Sequence, residues 1–107
     1  MRTVSFTFDD LTFEWDREKA KAVRKKHGVS FEEAASAFSD KNGLVLPDPD
    51  HSDWEERFLL LGYSVRANML MVSHCLRRSG TVIRLISARK ATKTEEKIYH
   101  ANWSKNQ

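Results

Sequence analysis

The sequence predicts a single α+β domain, residues 1–107, in which an antiparallel sheet carries two N-terminal helices and one C-terminal helix on one side. Three observations predict this class. Apolar and polar residues alternate near the N-terminus, two Ser/Thr-x-x-Glu capping boxes precede helical patterns, and three apolar runs follow one another with short separators. The predicted order of elements is β-α-α-β-β-β-β-α, with room for one modest core.

The N-terminal segment is predicted to form one or two short strands. Six apolar residues alternate with polar ones on either side of Asp9-Asp10, namely Val4, Phe6, Phe8, Leu11, Phe13 and Trp15. Such a period of two indicates a strand with one buried face. Residues 1–10 are therefore a possible extra strand, and the pattern leaves open whether the two aspartates form a hairpin turn.

Two helices are predicted next, from Arg17 to His27 and from Phe31 to about Ser39. Asp16 can cap the first, and Gly28 supplies the left-handed residue common just past a helix end. In the second, the capping box of residues 30 and 33 lets each side chain satisfy the other residue's exposed amide. The outer face of the first helix is cationic, which fits a solvated surface or a phosphate contact surface.

Four strands follow the two helices. Leu44–Leu46 is a short strand that ends at Pro47-Asp48-Pro49, and three longer strands are predicted over residues 57–64, 68–76 and 80–88. Because the segments between the longer strands are short, neighbouring strands are expected to pair antiparallel as a meander.

A last helix is predicted from Lys93 to about Trp103. Thr92 and Glu95 repeat the capping-box pattern just before it. The final residues, 104–107, are expected to form a frayed tail.

Composition and charge narrow the class of protein. With 40% hydrophobic and 31% charged residues, the chain has a globular balance, and its net charge of +3 fits a partner that carries phosphates or carboxylates. No apolar run approaches the ~20 residues of a membrane helix, and no signal peptide is evident, so we expect a cytoplasmic protein without a membrane partner. Cys75 is the only cysteine, which excludes an internal disulfide and agrees with a reducing compartment.

The sequence offers no motif for a metal or an organic cofactor. The four histidines, at positions 27, 51, 74 and 100, lack the spacing of zinc ligands. A glycine-rich phosphate loop and a Gly-x-Ser-x-Gly motif are both missing, so acyl transfer and nucleotide-cofactor chemistry are unsupported. We therefore expect no metal site and no cofactor.

Arginines on or beside strands, with a histidine and acids in one loop, are the strongest chemical signal. His51, Glu55, Glu56 and Arg57 follow two closely spaced prolines that stiffen the loop. Arginines on the open face of a sheet would make a phosphate-binding platform, because a guanidinium offers a fixed fork of donors that stays charged.

Strand parity leaves the orientation of two arginines open. In an unbroken strand, Arg84 and Arg89 point to opposite faces, since five residues separate them. Both reach the open face only if a bulge or a strand end intervenes before Arg89. Alternatively, one of them is a structural ion-pair partner for Glu55 or Glu56.

Several runs resemble the BrnT family of bacterial type II toxins. The resemblance extends from about Phe13 to Tyr99, and its most specific parts are Lys26-His27-Gly28-Val29-Ser30-Phe31 and Ile86-Ser87-Ala88-Arg89-Lys90-Ala91-Thr92. Phe13-Glu14-Trp15-Asp16, Asp50-His51, Glu56-Arg57, Gly62, Glu95 and Tyr99 also occur in the same order and spacing. In the family, Arg often follows the position of Glu95, whereas this chain has Glu96.

The resemblance implies a RelE-like fold and a metal-independent endoribonuclease that cleaves RNA and inhibits translation. It also implies neutralisation by a BrnA-like antitoxin, in a heterotetramer with an antitoxin dimer that binds operator DNA. For this activity the candidate catalytic residues are His51, Glu55, Glu56, Arg57 and Arg89. The candidate RNA- or phosphate-binding residues are Arg84, Lys90, Arg66 and Lys93.

Two other functions fit the same chain. A non-catalytic basic module would dock nucleic acid or an acidic protein with strong salt dependence and without producing RNA fragments. A degenerate toxin, retained for DNA regulation with its partner, would bind operator DNA in a complex but would not arrest growth.

Overall fold

The computed structural model describes residues 2–48 and 55–105, and within these ranges it contains one six-stranded sheet and three α-helices. The elements in chain order are β1 (Thr3–Phe8), β2 (Leu11–Asp16), α1 (Arg17–His27), α2 (Phe31–Ser36), β3 (Leu44–Pro47), β4 (Phe58–Tyr63), β5 (Met69–Arg77), β6 (Val82–Lys90) and α3 (Lys93–Lys105). The α+β class is confirmed. None of the helices in the described residues has the length and apolarity that crossing a membrane requires.

The first two strands form a hairpin that the sequence left open. Asp9 and Asp10 both have positive φ, at 52° and 68°, as a two-residue type I′ turn requires. The short polar side chain of aspartate tolerates this conformation better than most residues do. The order of elements therefore begins with two strands, which is one of the two alternatives that the alternating pattern predicted, whereas the order β-α-α-β-β-β-β-α counted only one.

The sheet is mixed, so the prediction of a wholly antiparallel sheet is wrong. Its strand order is β1-β2-β6-β5-β4-β3, and the predicted meander of β4, β5 and β6 is confirmed. However, β2 and β6 pair in parallel. The helices carry the chain to the far edge of the sheet, and the strands that return from that edge leave β6 running in the direction of β2.

Different helices cover the two faces of the sheet. We call these faces the core face and the second face. α1 and α2 pack on the core face over the larger apolar cluster, which includes Phe13, Phe31, Leu70, Val72 and Leu85. On the second face, Tyr99 of α3 packs against a smaller cluster of Leu61, Met69 and Met71.

The prediction that all helices lie on one side is therefore wrong. In β4 and β5, consecutive residues such as Leu60 and Leu61, or Leu70 and Met71, are buried. Consecutive strand residues point to opposite faces, so these two strands need a cover on both sides.

Capping explains where the helices begin. In α1, Asp16 accepts a hydrogen bond from the backbone N–H of Lys19 at 3.0 Å, and Gly28 has a φ of 72°, as predicted. Thr92 and Glu95 form the predicted reciprocal capping box of α3, with bonds of 2.8 and 3.2 Å.

Only half of the capping box predicted for α2 forms. Ser30 Oγ accepts from the N–H of Glu33 at 3.0 Å, but Oε2 of Glu33 accepts from Ser64 Oγ and Asn68 Nδ2, at 2.7 and 2.8 Å. This carboxylate thus ties α2 to the turn between β4 and β5. The helix ends at Ser36 and continues as a 3-10 turn over Ala37–Ser39, close to its predicted end.

Candidate functional site

A bulge in β6 turns Arg84 and Arg89 toward the same face of the sheet. The register between β5 and β6 shifts between two neighbouring pairs, Ser73↔Ser87 and His74↔Leu85. Ile86 is the additional residue on β6, and it resets the alternation of side chains. Arg84 lies opposite Cys75 and Arg89 opposite Met71, both on the second face. This is the condition under which the sequence allowed both arginines to share a face.

α1 brings a histidine to this face. β2 ends at Asp16, and α1 then packs along β6. His27, the last residue of α1, lines a pocket of about 270 Å³ together with Arg89, and Leu59, Met71, Ser73 and Ser87 complete its lining.

This pocket, which we call the His27–Arg89 pocket, combines groups suited to phosphate chemistry. A guanidinium binds phosphate oxygens through forked donors, and imidazole is the side chain best suited to transfer protons near neutral pH. The hydroxyls of Ser73 and Ser87 can hydrogen-bond to a ribose or a phosphate, and both serines are partly exposed. Leu59 and Met71 provide an apolar floor.

Arg89 is held in place by a bidentate ion pair with Glu95. Its Nη1 and Nη2 donate to the two carboxylate oxygens of Glu95, both at 2.8 Å, and Nη1 also donates to the carbonyl oxygen of Lys90 at 3.3 Å. The hydrogen bond from Arg89 is the main cause that lowers the pKa of Glu95 to about 2, and the same bond raises the pKa of Arg89. Both groups are therefore charged at neutral pH.

One edge of the Arg89 guanidinium stays available to a ligand. Glu95 occupies the edge formed by Nη1 and Nη2, while Nε makes no hydrogen bond to the described part of the chain. Nε and the second N–H of Nη2 form the other forked edge, whose geometry matches two oxygens of a phosphate. The side chain is 40% exposed. Arg89 can thus bind a phosphate without giving up Glu95.

Arg84 is tied to a neighbouring strand. It donates to Glu14 at 2.7 Å, and the two residues are register partners across β2 and β6. The prediction that one arginine pairs with Glu55 or Glu56 is therefore wrong in its partners, since Arg84 binds Glu14 and Arg89 binds Glu95. Glu14 is 70 residues from Arg84 in the sequence, so only the pairing of β2 with β6 brings the two side chains together.

Glu55 and Arg57 lie near the other end of the second face. Glu55 contacts Arg77 at 3.1 Å and Arg57 at 3.9 Å. Burial raises the pKa of the neighbouring Cys75 thiol, and Glu55 raises it further. Cys75 and Met71 are four residues apart on β5, so this group lies about 13 Å along the strands from the row that contains Arg89.

The other predicted residues that the structure describes do not line the pocket. Lys90 lies opposite Leu70 of the core face, and its charge acts with that of Arg66 on Glu33. Burial alone would raise the pKa of Glu33, but hydrogen bonds from Asn68 and Ser64 and these two cations lower it. Lys93 and Glu56 are exposed, and His51 lies outside the described residues.

Sequence reasoning missed three of the pocket residues: His27, Ser73 and Ser87. His27 and Ser87 stand inside the two runs that carried the family resemblance, so a signal existed for both. Ser73 has no local signal, because only the pairing of β5 with β6 brings it to Ser87.

No group of three or more His, Cys, Asp or Glu side chains within residues 2–48 and 55–105 is arranged to hold a metal ion.

Comparison with known proteins identifies a family that matches most of the chain. The model of a family described as ribonuclease toxin BrnT, of type II toxin–antitoxin systems, matches residues 15–95, which include every residue of the His27–Arg89 pocket. No curated protein sequence matches the chain. The match covers about three quarters of the sequence, and the chain therefore belongs to the BrnT family of ribonuclease toxins.

Proposed function

We propose that this toxin is a metal-independent endoribonuclease that cleaves RNA in the His27–Arg89 pocket and thereby inhibits translation. Family membership supports ribonuclease activity, and the pocket supplies both a fixed cation and a proton-transfer group. The observation that carries the proposal is the guanidinium of Arg89, which Glu95 orients while one forked edge stays available beside His27.

Cleavage without a metal requires three tasks. The ribose 2′-OH must lose its proton, the charge that develops on the phosphate must be stabilised, and the leaving 5′-oxygen must gain a proton. In our proposal the 2′-oxygen attacks phosphorus, the bond to the 5′-oxygen breaks, and the products are a 2′,3′-cyclic phosphate and a 5′-OH. Arg89 binds the phosphate oxygens, and His27 performs one of the two proton transfers.

The second proton transfer needs another group. Glu55 and Arg57 share the second face with Arg89, so an RNA that crosses this face from the pocket would meet them. We keep His51, Glu55 and Glu56 as candidates for that proton transfer, and Arg57, Arg84, Lys90, Arg66 and Lys93 as candidates for contacts to the RNA backbone. Substitution of each, with cleavage as the readout, separates them.

The test is cleavage of a labelled RNA by the purified chain in the presence of EDTA. We expect fragments that end in a 2′,3′-cyclic phosphate, and roughly a 100-fold or greater loss of kcat for Arg89→Ala and for His27→Ala. Arg89→Lys keeps the charge but lacks the fork, so we expect a similar loss. Arg2→Ala is the matched control, because Arg2 is an exposed arginine outside the pocket.

Several results of this experiment would contradict parts of the proposal. Cleavage that stops in EDTA and returns with Mg²⁺ would contradict metal independence. Wild-type rates for both His27→Ala and Arg89→Ala, with folding verified by circular dichroism, would remove the pocket from the mechanism. RNA binding without any fragments would favour the non-catalytic module, and operator binding without growth arrest would favour a degenerate toxin.

An antitoxin partner follows from membership in a type II toxin family. We propose that this partner is a BrnA-like protein that dimerises, binds two toxin chains in a heterotetramer and carries the complex to operator DNA. Co-expression of the toxin with the protein encoded beside it, followed by mass measurement of the purified complex, tests this stoichiometry. A toxin that remains monomeric and active in that experiment would contradict the proposal.

A further inference from the structure

Positive charge is concentrated on α1. Six of its eleven residues are Lys or Arg and one is Glu, which gives a formal charge of +5, whereas the whole chain carries +3. The rest of the chain therefore sums to −2. The six cations are Arg17, Lys19, Lys21, Arg24, Lys25 and Lys26, and all of them are exposed.

The stability of the helix does not explain this concentration. Cations near the C-terminus of a helix interact favourably with the helix dipole, which accounts for the three at positions 24–26. Arg17, Lys19 and Lys21 lie in the first half, where the dipole opposes positive charge. Like charges four residues apart also repel each other. Within the described part of the chain, Lys21 alone of the six is in an ion pair, with Glu18 at 3.5 Å.

Three of these cations form a stripe along α1, the helix whose last residue lines the His27–Arg89 pocket. Arg17, Lys21 and Arg24 are spaced i, i+4 and i+7, so they lie along one side of α1, and all three line one surface groove. α1 ends at His27, which lines the His27–Arg89 pocket. His27 lies about a quarter of a turn around the helix from the stripe, because successive residues of an α-helix are rotated by about 100°. A polyanion bound along the stripe would therefore reach the pocket by passing around the C-terminal end of α1.

We propose that the Arg17–Lys21–Arg24 stripe binds the phosphates of single-stranded RNA that flank the cleaved bond. This inference rests on the proposed ribonuclease function and assigns α1 as the surface along which the substrate lies. The exposed residues of α1 other than the cations are Glu18 and Ala22, so the helix offers no large apolar anchor of the kind that protein interfaces use. Cations without apolar anchors are typical of surfaces that bind a nucleic-acid backbone.

The experiment compares two triple variants of the full chain. One is Arg17→Gln, Lys21→Gln, Arg24→Gln, and the matched control is Lys41→Gln, Lys97→Gln, Lys105→Gln, which removes three exposed cations outside α1. The binding probe is a fluorescent twelve-nucleotide RNA with 2′-O-methyl groups, which cannot be cleaved. We expect the stripe variant to bind it roughly tenfold or more weakly, and the slope of log affinity against log salt to fall in magnitude by about 2.

Cleavage of unmodified RNA provides the second measurement. We expect the stripe variant to raise KM far more for a twelve-nucleotide RNA than for a dinucleotide, because a dinucleotide has no flanking phosphates. Equal affinity and equal salt slope for the two triple variants would overturn the inference, even if wild-type protein cleaves RNA. Failure of wild-type protein to cleave, with the binding difference intact, would overturn only the proposed nuclease function. Normal RNA binding with loss of antitoxin binding would overturn the inference by showing that α1 is a protein contact.

Discussion

A single carboxylate, Glu95, orients the residue that the proposed chemistry most depends on. Its two oxygens hold the guanidinium of Arg89, and Oε1 also accepts from the backbone N–H of Thr92 at the start of α3. The ion pair therefore joins β6 to α3, and it also orients the guanidinium that we propose binds the phosphate. One side chain thus contributes both to the fold and to the site.

Replacement of Glu95 by glutamine should reveal this double role through its pH dependence. The pKa of Glu95 falls from an ordinary 4.5 to about 2, so its charged form stabilises the protein above about pH 4.5, and this contribution is lost as the pH falls toward 2. Because Arg89 is 40% exposed and solvent screens the pair, we expect Glu95→Gln to cost about 1 kcal/mol at pH 7 and little near pH 2. Urea unfolding at several pH values measures the difference.

Glu18→Gln is the control for that measurement, since Glu18 forms an exposed ion pair with Lys21. Its cost should be small at every pH. A cost for Glu95→Gln that does not change between pH 7 and pH 2 would show that the charge of the pair contributes nothing.

The residues of the site were only partly predictable. Arg89 was found from its position at a strand end, but parity alone set Arg84 and Arg89 on opposite faces. The bulge that reconciles them is at Ile86, an apolar residue that looks like any other member of a buried strand. His27 was not predicted as a site residue, although it lies in a run that carries the family resemblance, because its neighbours in the pocket come from β4, β5 and β6.

At the scale of elements, helices were easier to predict than strand pairing. The limits of α1 follow from two local signals, Asp16 and Gly28, which act within a few residues of each end. The parallel pairing of β2 with β6 joins residues about 70 positions apart, Phe13 and Ile83, so no local pattern encodes it. The side on which α3 packs was missed because β4 and β5 are buried on both faces.

α3 depends on few contacts, and Tyr99 is its buried residue within the described range. Its hydroxyl donates to Oδ2 of Asp40 at 2.7 Å, and the N–H of Tyr63 donates to the same oxygen at 2.8 Å. Burial raises the pKa of Tyr99, and Asp40 raises it further, so the phenol stays protonated and keeps donating. The Asp40 carboxylate thus forms hydrogen bonds to both α3 and the end of β4.

Tyr99→Phe should destabilise the protein by about 1 kcal/mol, because the aromatic packing remains while Asp40 loses one donor. Thermal unfolding measures this change. Tyr63→Phe is the matched control, since the Tyr63 hydroxyl is 3.4 Å from His100 Nε2 and the residue is 37% exposed. Equal costs for the two substitutions would show that the bond to Asp40 does not secure α3.

At the scale of the whole molecule, the candidate site and the larger apolar cluster occupy different faces of one sheet. The core face carries the main apolar cluster under α1 and α2, whereas the second face carries the arginines, the pocket and, at one end, α3. The fold class and the family follow from the sequence. The distribution of side chains between the faces does not, because it depends on one bulge and one parallel pair.

The N-terminal hairpin has a consequence for the behaviour of the protein in solution. The family match begins at residue 15, so β1 precedes it. β1 gives β2 an antiparallel partner, and the ring of Phe6 packs tilted against that of Trp15, with 5.6 Å between the ring centroids. A chain that lacks residues 2–10 would present the backbone of β2 as a bare edge, ready to pair with another copy. We expect this truncated chain to self-associate with increasing concentration, which light scattering would detect. In that case β1 prevents self-association by covering the edge of β2. A truncated chain that stays monomeric at high concentration would contradict this role of β1.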